Sequence, residues 1–255
     1  MSAKSSEQER SSEATLHEIL TALLPLGPAD IGPRVSAPSP DSLSASSRTE
    51  STCAVCRLVA RSIAQSVRAF FAEFVNDPRA REELRRARGF CGEHAALLAT
   101  LGDALGVAIL YSDLARLTQE RWESGTAGET GGRKGLRWGW PRHAPVPSAP
   151  CPACADAQEA ERRYTGALAA GLGEARVWEA LEAGSGLCVA HAEQVMRQAA
   201  PAHAARLRQL EAARLAALQA ELDEIIRKND YRFRGEPWGP EKDAWLRALK
   251  KITRP

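Results

Sequence analysis

Cys53-Ala-Val-Cys56 … Cys91-Gly-Glu-His94 and Cys151-Pro-Ala-Cys154 … Cys188-Val-Ala-His191 together use all six cysteines of the 255-residue chain. Cys56 to Cys91 is 35 positions, and Cys154 to Cys188 is 34. Gly89 and Gly186 each stand two residues before the third cysteine, Phe90 and Leu187 fill the position between, and Ala95 and Ala192 follow the histidines. The offset is 98 at the Cys pairs and 97 at the Cys/His pairs, so the chain contains an internal repeat that has lost one residue. In this register Phe70 falls on Leu168, Phe74 on Leu172 and Leu84 on Leu181, and the deletion lies around Asn76-Asp77-Pro78 and Gly173-Glu174.

Three thiolates and one imidazole form a closed tetrahedral donor set that suits Zn²⁺. Spacing of i, i+3 puts two donors on one helical face. Ser51-Thr52 ahead of the first pair and Pro152 inside the second read as helix starts. Each Cys/His pair follows a Gly able to end the preceding helix. Every site is therefore expected to join two helix N-termini, whose dipoles and free N–H groups stabilise the −1 charge of Zn²⁺ with three thiolates. The reading closes each site within its own repeat: Cys53, Cys56, Cys91 and His94 in the first; Cys151, Cys154, Cys188 and His191 in the second. Two Zn²⁺ per chain follow. An iron–sulfur cluster on the same ligands is the alternative cofactor, and a redox-responsive dithiol is the alternative chemistry, although it leaves the recurring histidine unexplained. Six packed thiols would not need matched spacing.

Hydrophobic residues make up 44% and aromatics 5%, and Ala occurs 46 times, which predicts a thin, helical core. A net charge of +2 is too small to make the whole surface a polyanion trap. No apolar run is long enough to span a membrane, and the first twenty residues lack a secretion-signal pattern, so a cytoplasmic protein with no membrane association is expected; that compartment argues against disulfides. No nucleophile–base pair can be placed, which favours a non-enzymatic protein.

The periodicity predicts an all-α chain. Residues 1–50 hold a short helix at 13–24, with Leu16, Ile19, Leu20, Leu23 and Leu24 on one side, and then a Pro/Ser-rich linker. Residues 51–123 form the first repeat. Its helix at 53–75 carries a stripe of Val55, Leu58, Val59, Ile63, Val67, Phe70, Phe71 and Phe74; a short charged helix runs to Arg88, and a helix or helix pair with a possible break at Gly102 follows. Residues 124–150 form a Gly/Pro-rich linker. Its Arg133, Lys134, Arg137, Trp138, Trp140 and Arg142 read first as a solvated linker and second as a nucleic-acid contact. Residues 151–230 form the second repeat, with helices at 151–170, 174–183, from Cys188 to about Ala200, and from Pro201 to about Lys228. The last of these shows Leu215, Leu218, Leu222 and Ile225 as a packing seam. Residues 231–255 form a C-terminal segment whose Tyr231, Arg232, Arg234, Glu236 and Trp238 read equally as a folded-back cap or as a patch for an anion or a protein partner, ahead of a last helix at about 241–251.

The two C-x2-C…G-[FL]-C-x2-H halves, the segment from Gly102 to Tyr111 and the Asp230-Tyr231-Arg232-Phe233-Arg234-Gly235-Glu236-Pro237-Trp238-Gly239 tail resemble an uncharacterised bacterial family, a domain of unknown function, over about residues 50–253. The resemblance implies a genuine duplicated unit and brings no activity with it. The overall reading is a zinc-binding helical interaction or scaffold module with a protein partner.

Overall fold

A computed structural model of the chain describes residues 2–23, 53–101, 103–124 and 149–253; side chains are described outside 2–10 and 101. Every regular element among these residues is helical: α1 (Ser2–Leu23), α2 (Ala54–Ala69) continued by a π turn (Phe70–Phe74), α3 (Pro78–Ala87), α4 (Gly92–Leu101), α5 (Ala104–Glu123), α6 (Pro152–Gly171), α7 (Ala175–Ala183), α8 (Val189–Gln198), α9 (Pro201–Lys228), a 3₁₀ turn (Pro240–Asp243) and α10 (Ala244–Ile252). None of them is long and apolar enough to cross a membrane. Contacts divide the chain into two compact units, residues 1–61 with 159–255, and residues 62–158.

In the first unit the core is built from Leu16, Ile19 and Leu23 of α1, Val55 and Leu58 of α2, Tyr164, Leu168 and Leu172 of α6, Val177, Trp178 and Leu181 of α7, Leu187, Val195 of α8 and Leu207 of α9. The N-terminal helix therefore docks on its unit rather than standing free. It starts earlier than the apolar pattern predicts, because its first three turns are mostly polar and carry no stripe. Buried polar groups in this core are satisfied. The Tyr164 hydroxyl donates to Glu18 (3.0 Å) and the Trp178 indole donates to the Leu172 carbonyl (2.7 Å). Arg206 stacks over the Trp178 ring at 4.0 Å.

In the second unit Val75, Leu84 and Leu110 form a buried cluster against which Phe70, Phe71, Phe90, Ile109, Tyr111 and Leu114 pack, and Ile63, Val67 and Leu98 are buried as well. Asp77 caps α3 by accepting from the backbone of Arg79 (2.9 Å) and Ala80 (2.8 Å), and Asp103 caps α5 by accepting from Gly106 (2.8 Å). The expected helix at 91–121 is thus a pair. Arg85 on α3 and Arg116 on α5 converge on Asp113 at 2.7 and 2.9 Å, and Arg85 in particular holds the Asp113 carboxyl down at about 2. One expectation fails: Phe74 lies 44% exposed while Val75 is buried. The π turn at Phe70–Phe74 widens the helix by one residue per turn there, so the apolar stripe of α2 slips past Phe74 to Val75.

Gly184, after α7, explains how α1 sits so closely on its unit. A Cβ there would overlap the backbone oxygen of Leu23, at the end of α1. The Gly184→Ala variant should displace the end of α1 and lose roughly 1–3 kcal/mol, read as a lowered urea midpoint with unchanged slope. An unchanged midpoint would show that the contact between the end of α1 and Gly184 is not close.

Candidate metal centres

The eight predicted ligands form two groups, each of three sulfurs and one imidazole nitrogen whose donor atoms all lie within 4.8 Å of one another. None of the six cysteines is in a disulfide. The grouping corrects the expected pairing. Cys53 and Cys56 meet Cys188 and His191, whereas Cys91 and His94 meet Cys151 and Cys154. Each group takes its Cys pair from one repeat and its Cys/His pair from the other. The first group lies wholly in the first unit and the second wholly in the second.

The physical reason is helix length. In the second repeat α6 runs 20 residues away from Cys151, about 30 Å at 1.5 Å per residue, and α7 returns for only 9, about 14 Å. In the first repeat α2 and its π turn take 16 and 5 residues outward and α3 brings back 10. A long helix followed by a much shorter one does not by its own length retrace the chain to the Cys pair that precedes it.

The helix-start expectation holds. Cys53 directly precedes α2 and Cys56 lies in its first turn; Cys188 is the N-cap of α8 and His191 lies in its first turn. Likewise Cys91 and His94 begin α4, and Cys151 and Cys154 begin α6. In the first group His191 Nδ1 lies 3.4, 3.3 and 3.1 Å from the sulfurs of Cys53, Cys56 and Cys188. In the second, His94 Nδ1 lies 3.2, 3.4 and 3.7 Å from those of Cys91, Cys154 and Cys151. Sulfur pairs stand 3.8 Å apart at Cys56–Cys188 and 3.7 Å apart at Cys91–Cys154.

Without a cation such groups cannot all ionise. Burial raises the Cys53 thiol, but its bonds to Cys188, Cys56 and His191 win and hold it well below its usual value. Cys56, bonded to Cys188 and Cys53, is pushed far up instead. Burial pulls His191 down, and the sulfurs of Cys188 and Cys53 outweigh it, lifting the ring to about 10. In the second group burial opposes the backbone N–H of His94 and the Cys154 and Cys151 thiols, which together lower Cys91. Burial and the neighbouring Cys91 raise Cys154 to about 12. Crowded thiols sharing protons in this way are suited to a divalent cation, which removes the mutual repulsion and accepts every donor at once. Both groups could hold a metal ion.

Residues beyond the ligands shape the first centre. His191 Nε2 faces Glu161 Oε1 at 3.0 Å, and the Gln194 amide donates to the same oxygen (2.6 Å), so a carboxylate fixes the ring with Nδ1 toward the sulfurs. The loop entering Cys188 turns through Gly186 at φ +79°, as the loop entering Cys91 turns through Gly89 at φ +101°. Both conformations favour glycine. Around Gly186 the Leu187 amide donates to Glu211 (3.1 Å), and its carbonyl accepts from Lys251 of α10, which also pairs with Glu211. Arg214 bonds Glu211 (3.1 Å) and the Gly184 carbonyl (2.9 Å). The sequence reading missed Glu161, Glu211, Arg214 and Lys251. A signal existed for two of them: Ala204, Leu207, Glu211, Arg214 and Leu218 recur at 3-4 spacing along α9, and two charges on that otherwise apolar face mark a buried pairing.

The C-terminal candidates are partly paired and partly exposed. Arg232 is paired with Asp230 (2.8 Å), and Glu236 with Arg227, which also stacks on Phe233 at 4.5 Å. Tyr231, Arg234 and Trp238 are exposed. Lys228 fastens the segment by donating to the Pro237 carbonyl and to Glu241, both at 2.7 Å. Arg133, Lys134, Arg137, Trp138 and Arg142 lie outside the described residues, as do linker residues 25–50 and 125–148.

Comparison with known proteins places the chain in a family. Residues 43–255 match the model described as "Family of unknown function (DUF6062)", and the chain belongs to that family. A stretch of 67 residues is 42% identical to the "Uncharacterized 23.9 kDa protein in xynA 3'region" of Caldicellulosiruptor sp. (strain Rt8B.4), covering 26% of this chain and 32% of that protein. The chain thus spans about a third of the length of the relative it matches. No solved structure matches.

Crossed pairing has a direct test in double variants analysed for metal content. Cys53→Ser with Cys188→Ser touches one centre and should leave about one ion per chain, whereas Cys53→Ser with Cys91→Ser touches both and should leave close to none. The reverse pattern would restore closure within each repeat.

Proposed function

We propose that this is a non-enzymatic zinc protein in which two Cys3His centres serve as structural fastenings of a helical interaction or scaffold module. The observation that carries the reading is the sequence reach of each group. His191 stands beside Cys53 across 138 positions and His94 beside Cys154 across 60, so each ion would tie the starts of two helices far apart in the chain. Cys53, Cys56, Cys188 and His191 are the ligands of one Zn²⁺; Cys91, His94, Cys151 and Cys154 are those of the other. Four donors leave no open coordination position for a substrate, which favours structure over catalysis. A structural zinc contributes on the order of 10–16 kcal/mol of apparent binding energy, against a total of roughly 5–15 kcal/mol for an ordinary domain.

The interaction role finds support at the C-terminal end. Tyr231 is 81% exposed and Trp238 49%, while α10 presents Trp245, Leu249 and Ile252 outward at i, i+4, i+7 spacing. We assign the protein partner to this end of the molecule.

Elemental analysis of anaerobically purified protein should return about two zinc ions per chain with no visible absorbance, and a strong chelator should abolish most of the far-ultraviolet helical signal. Absorbance in the visible with stoichiometric iron would replace zinc by a cluster. A metal-free protein with full helicity would remove the structural role.

A further inference from the structure

We propose that the two centres are not equivalent: the group of Cys91, His94, Cys151 and Cys154 is a peroxide-oxidisable, metal-releasing site, and the group of Cys53, Cys56, Cys188 and His191 is the permanent one. The proposal rests on the metal-holding reading above and adds to it a division of labour.

Burial separates the groups. In the first, Cys53 and Cys188 are each 1% exposed and His191 is 2% exposed; only Cys56 is half-buried. In the second, all three cysteines are half-buried, and the buried ligand is the histidine, which does not react with peroxide under these conditions. An oxidant in solution therefore reaches three sulfurs in one centre and one in the other. Thiolate oxidation follows such access.

The surroundings separate them again. His191 is braced by Glu161 and Gln194, and the approach to Cys188 is held by Glu211, Arg214 and Lys251. The matching turn at Gly89 has Leu114 and Tyr111 as its nearest side chains. Glu211 in the first unit grips the Leu187 backbone with a charged group from within the core. Among the described residues the second unit also buries fewer apolar side chains. Loss of a ligand there is opposed by less packing.

Two sulfurs at 3.7 Å are close enough to join once one is oxidised. The Cys91 sulfur, as thiolate, attacks one oxygen of hydrogen peroxide; the O–O bond breaks and hydroxide leaves, giving a sulfenic acid. The Cys154 thiolate then attacks that sulfur, the S–O bond breaks, and the S–S bond forms as a second hydroxide departs. Each hydroxide takes a proton to become water. Two sulfurs have lost two electrons, and one peroxide has gained them. Two of the four donors are consumed, and the remaining pair is too few to retain the ion.

The test uses full-length protein loaded with zinc without oxygen and then given stepwise additions of hydrogen peroxide. Zinc release is followed with a chromogenic chelator, and at each step thiols are counted by differential alkylation and mass spectrometry. About one ion should leave first, together with a disulfide within the Cys91, Cys151 and Cys154 set. Cys53 and Cys188 should still alkylate as thiols at that stage, with oxidation on the order of tenfold slower. Release of both ions in one step, or oxidation of Cys53 and Cys188 at the same rate as Cys91 and Cys154, overturns the proposal. Failure of the zinc reading shows separately, as low metal content before any peroxide is added; the order of thiol oxidation is still read on that sample and decides the proposal by itself.

Discussion

Three sulfurs and a ring nitrogen held within 4.8 Å cannot coexist as four good donors unless something positive lies among them. Every local feature near the two centres serves that crowding. Each Cys pair and each Cys/His pair begins a helix, where unpaired N–H groups and the helix dipole favour negative charge. Glycines at positive φ turn the chain sharply so that the next helix starts with its cysteine already facing inward. Fixing two helix starts then fixes two helix axes, and the apolar faces of those helices have only to complete the packing.

The two units complete it differently. In the first, α1 and α7–α9 share with the start of α2 and the part of α6 from Ala160 onward a continuous core in which even Tyr164 and Trp178 find hydrogen-bond partners. The second has a few aliphatic side chains and a set of phenylalanines around α3 and α5, reinforced by arginines on Asp113.

Much of this was legible in the residues. The all-α class followed from the alanine content and the apolar periodicity, the helix starts from Pro152 and from the glycines ahead of Cys91 and Cys188, and the donors from matched spacing. What misled was treating a repeat as a folding unit. Sequence spacing shows that Cys91 lies 35 positions beyond Cys56, but not that those positions are divided unequally between an outgoing and a returning helix. The lengths of α2 with α3, and of α6 with α7, were visible once summed as rises, and their inequality argues against closure within a repeat without deciding it. The π turn at Phe70–Phe74 had no such signal, because it shifts the register without changing the composition. Lys251 was equally silent: its partners Glu211 and Leu187 lie 40 and 64 positions away, and a lysine in the last turn of an amphipathic helix reads as solvated.

Crossed pairing also orders events in time. As the chain leaves the ribosome, Cys53 and Cys56 emerge first and wait until Cys188 and His191 appear, 135 positions after Cys56 for the histidine. By then the second centre, whose four donors span only residues 91–154, has all its donors outside. The nascent polypeptide is thus built to close from the middle outward, with its earliest thiols the last to be sheltered.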